Sequence, residues 1–122
     1  MPKKILIADD DSDIRNLLSE TLTQEGYEVT GVSDGKEAIQ KIEEQFYHLL
    51  ILDLEMPYFD GFQVADRIQA RWRNNPPQIL ILTGHSIPDA GPRAILTGAS
   101  AFVQKSCDMD FLIRKVQELI GK

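Results

Sequence analysis

The sequence predicts an α/β protein in which a parallel sheet is covered by helices, in one domain spanning 1–122. Three observations lead there. Short β-rich apolar runs alternate with longer amphipathic stretches along the whole chain, in five such pairs. The runs are mostly continuous in apolar residues, as strands buried on both faces require. A chain of 122 residues, 43% hydrophobic and 26% charged, suits a single self-sufficient core.

Lys4 to Ala8 is the first strand and runs into Asp9, Asp10 and Asp11. Ile14, Leu17, Leu18 and Leu22 recur at helical spacing, which predicts a helix over 12–25 with that face on the sheet. Gly26 stops it as the C′ residue. Glu28 to Val32 alternates in polarity and reads as an edge strand. Asp34 caps a second helix whose buried stripe is Ala38, Ile39 and Ile42, ending near Gln45. His48 to Asp53 is the most apolar strand and is expected at the centre.

Pro57 and Asp60-Gly61 mark a loop, after which Phe62, Ala65, Ile68 and Trp72 form a helical face that ends before Asn74, Asn75, Pro76 and Pro77. Ile79 to Leu82 is the fourth strand, followed at once by Thr83 and Gly84. His85 to Gly98 contains Pro88, Gly91 and Pro92, so any helix there is short, with Pro92 at its first position. Ala101 to Gln104 is the fifth strand and ends at Lys105. Asp108 caps the last helix, whose face is Phe111, Leu112, Val116, Leu119 and Ile120. No repeat or linker supports a second domain.

Composition excludes several functions. The single cysteine, Cys107, forms no internal disulfide, and the Met1-Pro2-Lys3-Lys4 start has no cleavage site, so a cytoplasmic setting is expected. The longest apolar runs, Leu49 to Leu52 and Ile79 to Leu82, are far short of the roughly 18 residues that span a bilayer. A net charge of −6 opposes direct binding to nucleic acid.

The chemistry gathers at the strand ends. Right-handed crossovers place the carboxyl ends of parallel strands along one rim, where ligands bind. That rim receives Asp9, Asp10 and Asp11 from the first strand, Asp53 from the third, Thr83 from the fourth and Lys105 from the fifth. Carboxylates suit a divalent cation such as Mg²⁺, which takes one or two of them together with water and phosphate oxygens. Without the ion, crowded like charges should raise at least one carboxyl pKa. A lysine ammonium and a threonine hydroxyl then serve phosphoryl oxygens, and an aspartate on a rigid strand can attack phosphorus.

Each feature has a plainer reading alone. An acidic cluster before a helix favours its dipole, Asp53 and Asp60-Gly61 fit turn and cap geometry, Thr83 is a β-former, Lys105 a solvated edge charge and Phe102 a core residue. Their joint occurrence at successive strand ends is what a bland surface rarely produces. His48 and His85 lack a partner at metal-binding spacing, Cys107 reads as packing, and Trp72 belongs to a helical core stripe.

Ile5-Leu6-Ile7-Ala8-Asp9-Asp10-Asp11, Leu49-Leu50-Ile51-Leu52-Asp53-Leu54-Glu55-Met56-Pro57 with Asp60-Gly61, Leu82-Thr83-Gly84, and Gly98-Ala99 through Phe102-Val103-Gln104-Lys105 together resemble the receiver domain of two-component response regulators, over residues 3–120. The resemblance implies a flavodoxin-like (βα)5 doubly wound sheet of order 2-1-3-4-5 and a phosphorylation switch. It implies that Asp53 is the phosphoacceptor. Asp9, Asp10, Asp53 and the backbone carbonyl of Glu55 would hold Mg²⁺, and Thr83 and Lys105 would form the switch pair. Phe102 would be the switch aromatic, sharing a strand face with Gln104 while Ala101 and Val103 face the other side.

The implied partners are a sensor histidine kinase or histidine phosphotransfer protein and an output partner or effector that the sequence does not specify. The implied chemistry is self-directed phosphoryl transfer and autodephosphorylation rather than enzymatic turnover, with Glu55 and His85 tuning the phosphoryl lifetime. Two departures stand out. Ser106 follows Lys105 where the family usually has proline, and a trans bond is expected because a cis bond outside proline costs about 2.5–4 kcal/mol. Pro88, Gly91 and Pro92 also weaken the helix after the fourth strand. Rival readings are a pseudo-receiver that binds partners without phosphorylation, and a phosphatase of the haloacid dehalogenase type, whose nucleophile motif after the first strand and cap domain do not fit this spacing.

Overall fold

The computed structural model describes residues 2–84, 98–105 and 107–122. Its elements are β1 (Lys4–Ala8), α1 (Ser12–Gln24), β2 (Glu28–Val32), α2 (Gly35–Glu44), β3 (Leu49–Asp53), α3 (Gly61–Arg71), β4 (Gln78–Thr83), β5 (Ala101–Gln104) and, last in the chain, α4 (Met109–Ile120). The strands form one sheet in the order β2-β1-β3-β4-β5, and every adjacent pair is parallel. This is the flavodoxin-like architecture, with β3 at the centre and wholly buried.

The two-residue period of the strands divides the core in two. Leu6, Ala8, Leu50, Leu52, Ile79 and Ile81 face α2 and α3, meeting Ala38, Ile39, Ile42, Val64, Ala65 and Ile68. Ile5, Ile7, Leu49, Ile51, Leu80 and Leu82 face the opposite way, against Leu18 and Leu22 of α1 and Leu112, Val116 and Ile120 of α4. Both faces of β1, β3 and β4 are therefore apolar, which is why these strands read as continuous runs.

Among the described residues, every helix starts on an aspartate. Asp11 accepts from the Asp13 and Ile14 amides at 2.9 and 3.3 Å, Asp34 from Glu37 at 2.8 Å, and Asp108 from Phe111 at 2.7 Å. Asp60 forms a reciprocal box with Gln63, at 2.8 and 2.9 Å. Each such cap contributes about 1 kcal/mol and sets where the chain turns from strand end into helix. Gly26, at φ +99°, follows the C-cap of α1 as expected.

Some expectations are corrected. Leu17, 53% exposed, and Phe111, 40% exposed, lie outside the faces assigned to them. A helix resting on a flat sheet buries a narrower stripe than the full apolar pattern, and Leu18, about 100° around from Leu17, takes the inward position in α1. In α4 the Phe111 ring instead lies 5.7 Å from Lys115 Nζ. β3 begins at Leu49, one residue late, because His48 is used to tie β1 to β3. Its N–H donates to the Lys4 carbonyl at 2.8 Å and its Nδ1 accepts the Lys4 N–H at 3.0 Å. Trp72 caps α3 half-buried, with Nε1 donating to the Ile42 carbonyl at 3.3 Å. The expected short helix at Pro92, His85 and the Lys105-Ser106 bond lie outside the described residues.

Candidate functional site

Strand register brings the predicted residues level. Asp53 closes β3 opposite Leu82, and Thr83 closes β4 opposite Gln104. Asp9 stands one residue beyond β1, and Lys105 one beyond β5, its N–H donating to the Thr83 carbonyl at 2.6 Å. Among the described residues the buried polar side chains are Asp9, Asp53 and Thr83, all three of them at strand ends on this rim. Burial of polar groups is costly, so their concentration here marks the site.

One carboxylate oxygen from each of Asp9, Asp10 and Asp53 lies within 4.8 Å of the others. Asp10 is exposed and forms the open side. Lys105 Nζ sits 2.9 Å from Asp9 Oδ2 and 3.2 Å from Asp53 Oδ2, bridging the two buried carboxylates. Asp53 Oδ1 accepts the Glu55 N–H at 3.4 Å, which anchors the loop that leaves β3. Glu55 itself is exposed two residues past the strand. Gly61 closes that loop: a Cβ there would stand 2.6 Å from the Asp53 carbonyl oxygen, so only glycine lets α3 start this near β3.

Electrostatics follow from this crowding. Burial pushes the Asp53 carboxyl up, the Asp9 charge adds to it, and Lys105 with the Glu55 amide pulls back, leaving it at about 6. The expected rise is present, but desolvation outranks like-charge repulsion as its cause. Burial pulls the Lys105 ammonium down, yet its contacts with Asp9 and Asp53 outweigh this and its pKa ends above the ordinary lysine value. Burial, helped by Asp108, raises the Cys107 thiol, which packs against the α1 and α4 core. Phe102 is half-buried against the α2 and α3 core, on the strand face opposite Val103.

The donor set fits Mg²⁺. The clustered oxygens are hard carboxylates, and the buried Asp9 Oδ2 has the Lys105 ammonium beside it at 2.9 Å. Arg15 was not among the residues expected at the rim. Its Nη1 donates to the Asp9 carbonyl at 2.7 Å. The signal was its place four residues after the Asp11 cap, since helical side chains lean toward the N-terminus.

A 2-1-3-4-5 parallel sheet with three clustered carboxylates and an ammonium at its carboxyl rim defines a class: flavodoxin-like domains with an acidic rim site. A family model, the response regulator receiver domain, matches residues 5–117, and the chain belongs to that family. It is 36% identical to the transcriptional regulatory protein PdtaR of Mycobacterium tuberculosis, aligning over 100% of this chain but only 58% of that protein. The structure of response regulator TrrA from Thermotoga maritima, in complex with Mg²⁺ and BeF, is 38% identical and superposes with a TM-score of 0.85, covering 96% of this chain and 98% of that one. A CheY-like receiver domain from Methanospirillum hungatei reaches a TM-score of 0.90 at 27% identity, covering 97% and 93% of the two chains. A phosphorylation switch, Mg²⁺ at an acidic pocket and exchange with phosphodonor kinases and output partners are general to this family of two-component systems. Among the described residues no helix is long and apolar enough to cross a membrane.

Proposed function

We propose that this chain is a phosphorylation-activated switch that accepts a phosphoryl group onto Asp53 from the phosphohistidine of a sensor histidine kinase or histidine phosphotransfer protein, with Mg²⁺. The observation that carries this reading is the Asp53 carboxylate, 5% exposed at the end of the central strand, clustered with Asp9 and Asp10 and touched by Lys105. An Asp53 oxygen attacks phosphorus, the P–N bond to the donor imidazole breaks, and its electron pair stays on the imidazole, leaving an aspartyl phosphate. Hydrolysis by water later restores Asp53.

Asp9, Asp10 and Asp53, with the Glu55 carbonyl as the further ligand, would hold Mg²⁺, which when bound offsets the charge of the phosphoryl oxygens. Lys105 already spans Asp9 and Asp53, so it can keep Asp9 while it turns to a phosphoryl oxygen. The Thr83 hydroxyl donates to another oxygen as the β4 end closes in. Phe102, half-buried on the edge strand, repacks in response and biases the surface that partners read.

The domain acts on itself and does not turn over substrates, so it is a switch rather than an enzyme. It works in the cytoplasm, and its net charge of −6 leaves nucleic-acid contact to an effector or partner. Intact-mass spectrometry after incubation with acetyl phosphate tests the reading. One phosphoryl group is expected on the wild type with Mg²⁺, and none on Asp53→Asn or with EDTA. An unmodified wild type, even with an active donor kinase, would make this a pseudo-receiver; steady release of phosphate from small phosphomonoesters would favour the phosphatase.

A further inference from the structure

Asp9 is held at each of its polar atoms. Its N–H donates to the Val32 carbonyl at 3.1 Å, Oδ1 accepts the Asp11 N–H at 2.9 Å, and its carbonyl accepts Arg15 Nη1 at 2.7 Å. Oδ2 is paired with the Lys105 ammonium at 2.9 Å and faces the site. We infer that Arg15 is a positioning residue for the cation site, fixing the peptide between Asp9 and Asp10 so that both carboxylates are presented together. The inference rests on the proposed Mg²⁺-dependent reading of the rim.

The peptide plane carries this hold from Asp9 to Asp10. The Asp9 carbonyl and the Asp10 N–H belong to one rigid unit, so a hydrogen bond to that carbonyl sets the direction in which the chain enters Asp10. Asp9 lies beyond the last β1 residue, and among the described residues no backbone N–H outside the strand ladder donates to its carbonyl. A guanidinium donor at 2.7 Å is a charge-assisted bond and stands at the strong end of its class. β2 leaves a bed for the arginine stem. A Cβ on Gly31 would come within 3.1 Å of Arg15 Cγ and 3.2 Å of Cδ, so the bare glycine gives the stem its room. Arg15 thus acts on ligands it does not itself join, as residues behind a metal site commonly do.

Calorimetric titration of the full chain with MgCl₂ tests this, because it reads binding and not phosphorylation. Arg15→Ala is expected to bind Mg²⁺ about 10-fold more weakly than wild type, with its far-UV circular dichroism unchanged. Arg15→Lys, which keeps a donor and the charge but loses the fork, is expected between the two. Gly31→Ala should weaken binding a few-fold when Arg15 is present and change nothing in the Arg15→Ala background, since its effect passes through the arginine stem. Arg15→Ala binding as tightly as wild type overturns the inference, and so does a Gly31→Ala effect that is equal in both backgrounds. Loss of helical signal in Arg15→Ala that Arg15→Lys does not restore also overturns it, by reducing Arg15 to a helix stabiliser. Wild type that takes up no Mg²⁺ would instead sink the reading of the site on which the inference stands.

Discussion

Asp53 holds two demands in tension. To serve as the proposed phosphoacceptor its carboxylate must be ionised, yet burial and the Asp9 charge raise its pKa to about 6. Because that value exceeds the roughly 3.9 of an unfolded aspartate, the folded chain binds the extra proton between the two. Stability therefore falls as pH rises through this window, and the cost of the buried charge is fully present above about 6. In EDTA, Asp53→Asn is expected to be more stable than wild type at pH 7.5 by on the order of 1–3 kcal/mol, with the gap closing as pH falls toward 4. Urea unfolding across that range checks it, and a destabilised Asp53→Asn at pH 7.5 would mean that the Lys105 contact outweighs burial. The positions of Asp9, Asp10 and Asp53 were legible in the sequence because strand ends on a parallel sheet have only one rim to meet on. The bridging pose of Lys105 was not, since it depends on side-chain torsions that two distant carboxylates select. Arg15 escaped for a related reason: its partner is a backbone carbonyl, which leaves no residue type to pair it with.

At the level of elements, the site is set by how helices begin. α3 starts at Gly61, pressed against the Asp53 carbonyl, and is fastened by the Asp60 and Gln63 box. Gly61→Ala would force its new Cβ to within 2.6 Å of that oxygen, so the loop must move. A loss of about 1–3 kcal/mol in urea unfolding is expected, with slower phosphorylation of Asp53 from a small donor. Asp60→Ala, which removes only the cap, should cost about 1 kcal/mol and leave the phosphorylation rate nearly unchanged. If both variants slow phosphorylation equally, the close approach of Gly61 is not what holds Asp53. Caps at Asp34, Asp60 and Asp108 were legible because aspartate before an amphipathic run has one common use. The outward Leu17 and Phe111 were not, because periodicity counts apolar residues but cannot tell how wide a stripe the sheet will cover.

Across the whole molecule, the order 2-1-3-4-5 puts β1 and β3 side by side, which joins Asp9 and Asp10 to Asp53 without any long-range device. Strand count, the edge place of β2 and the central place of β3 followed from apolar patterning, whereas the full strand order came from the family resemblance, because pattern does not say which strands neighbour one another. Gathered carboxylates on a chain of net charge −6 should make the fold responsive to cations. Thermal unfolding is expected to shift upward in Mg²⁺ at saturating concentration, by roughly 2.7 kcal/mol at 100 times the Kd, and the shift should vanish in Asp9→Asn. A shift that survives in Asp9→Asn would place the cation elsewhere.

In the proposed switch Asp53, and no other rim carboxylate, carries the phosphoryl group. Reduction with borohydride converts an aspartyl phosphate to homoserine, so peptide mapping after phosphorylation with acetyl phosphate and Mg²⁺ locates the modified residue directly. Homoserine at position 53 alone is the predicted result. Homoserine at position 9 or 10 with Asp53 untouched would mean that Asp53 is not the phosphoacceptor.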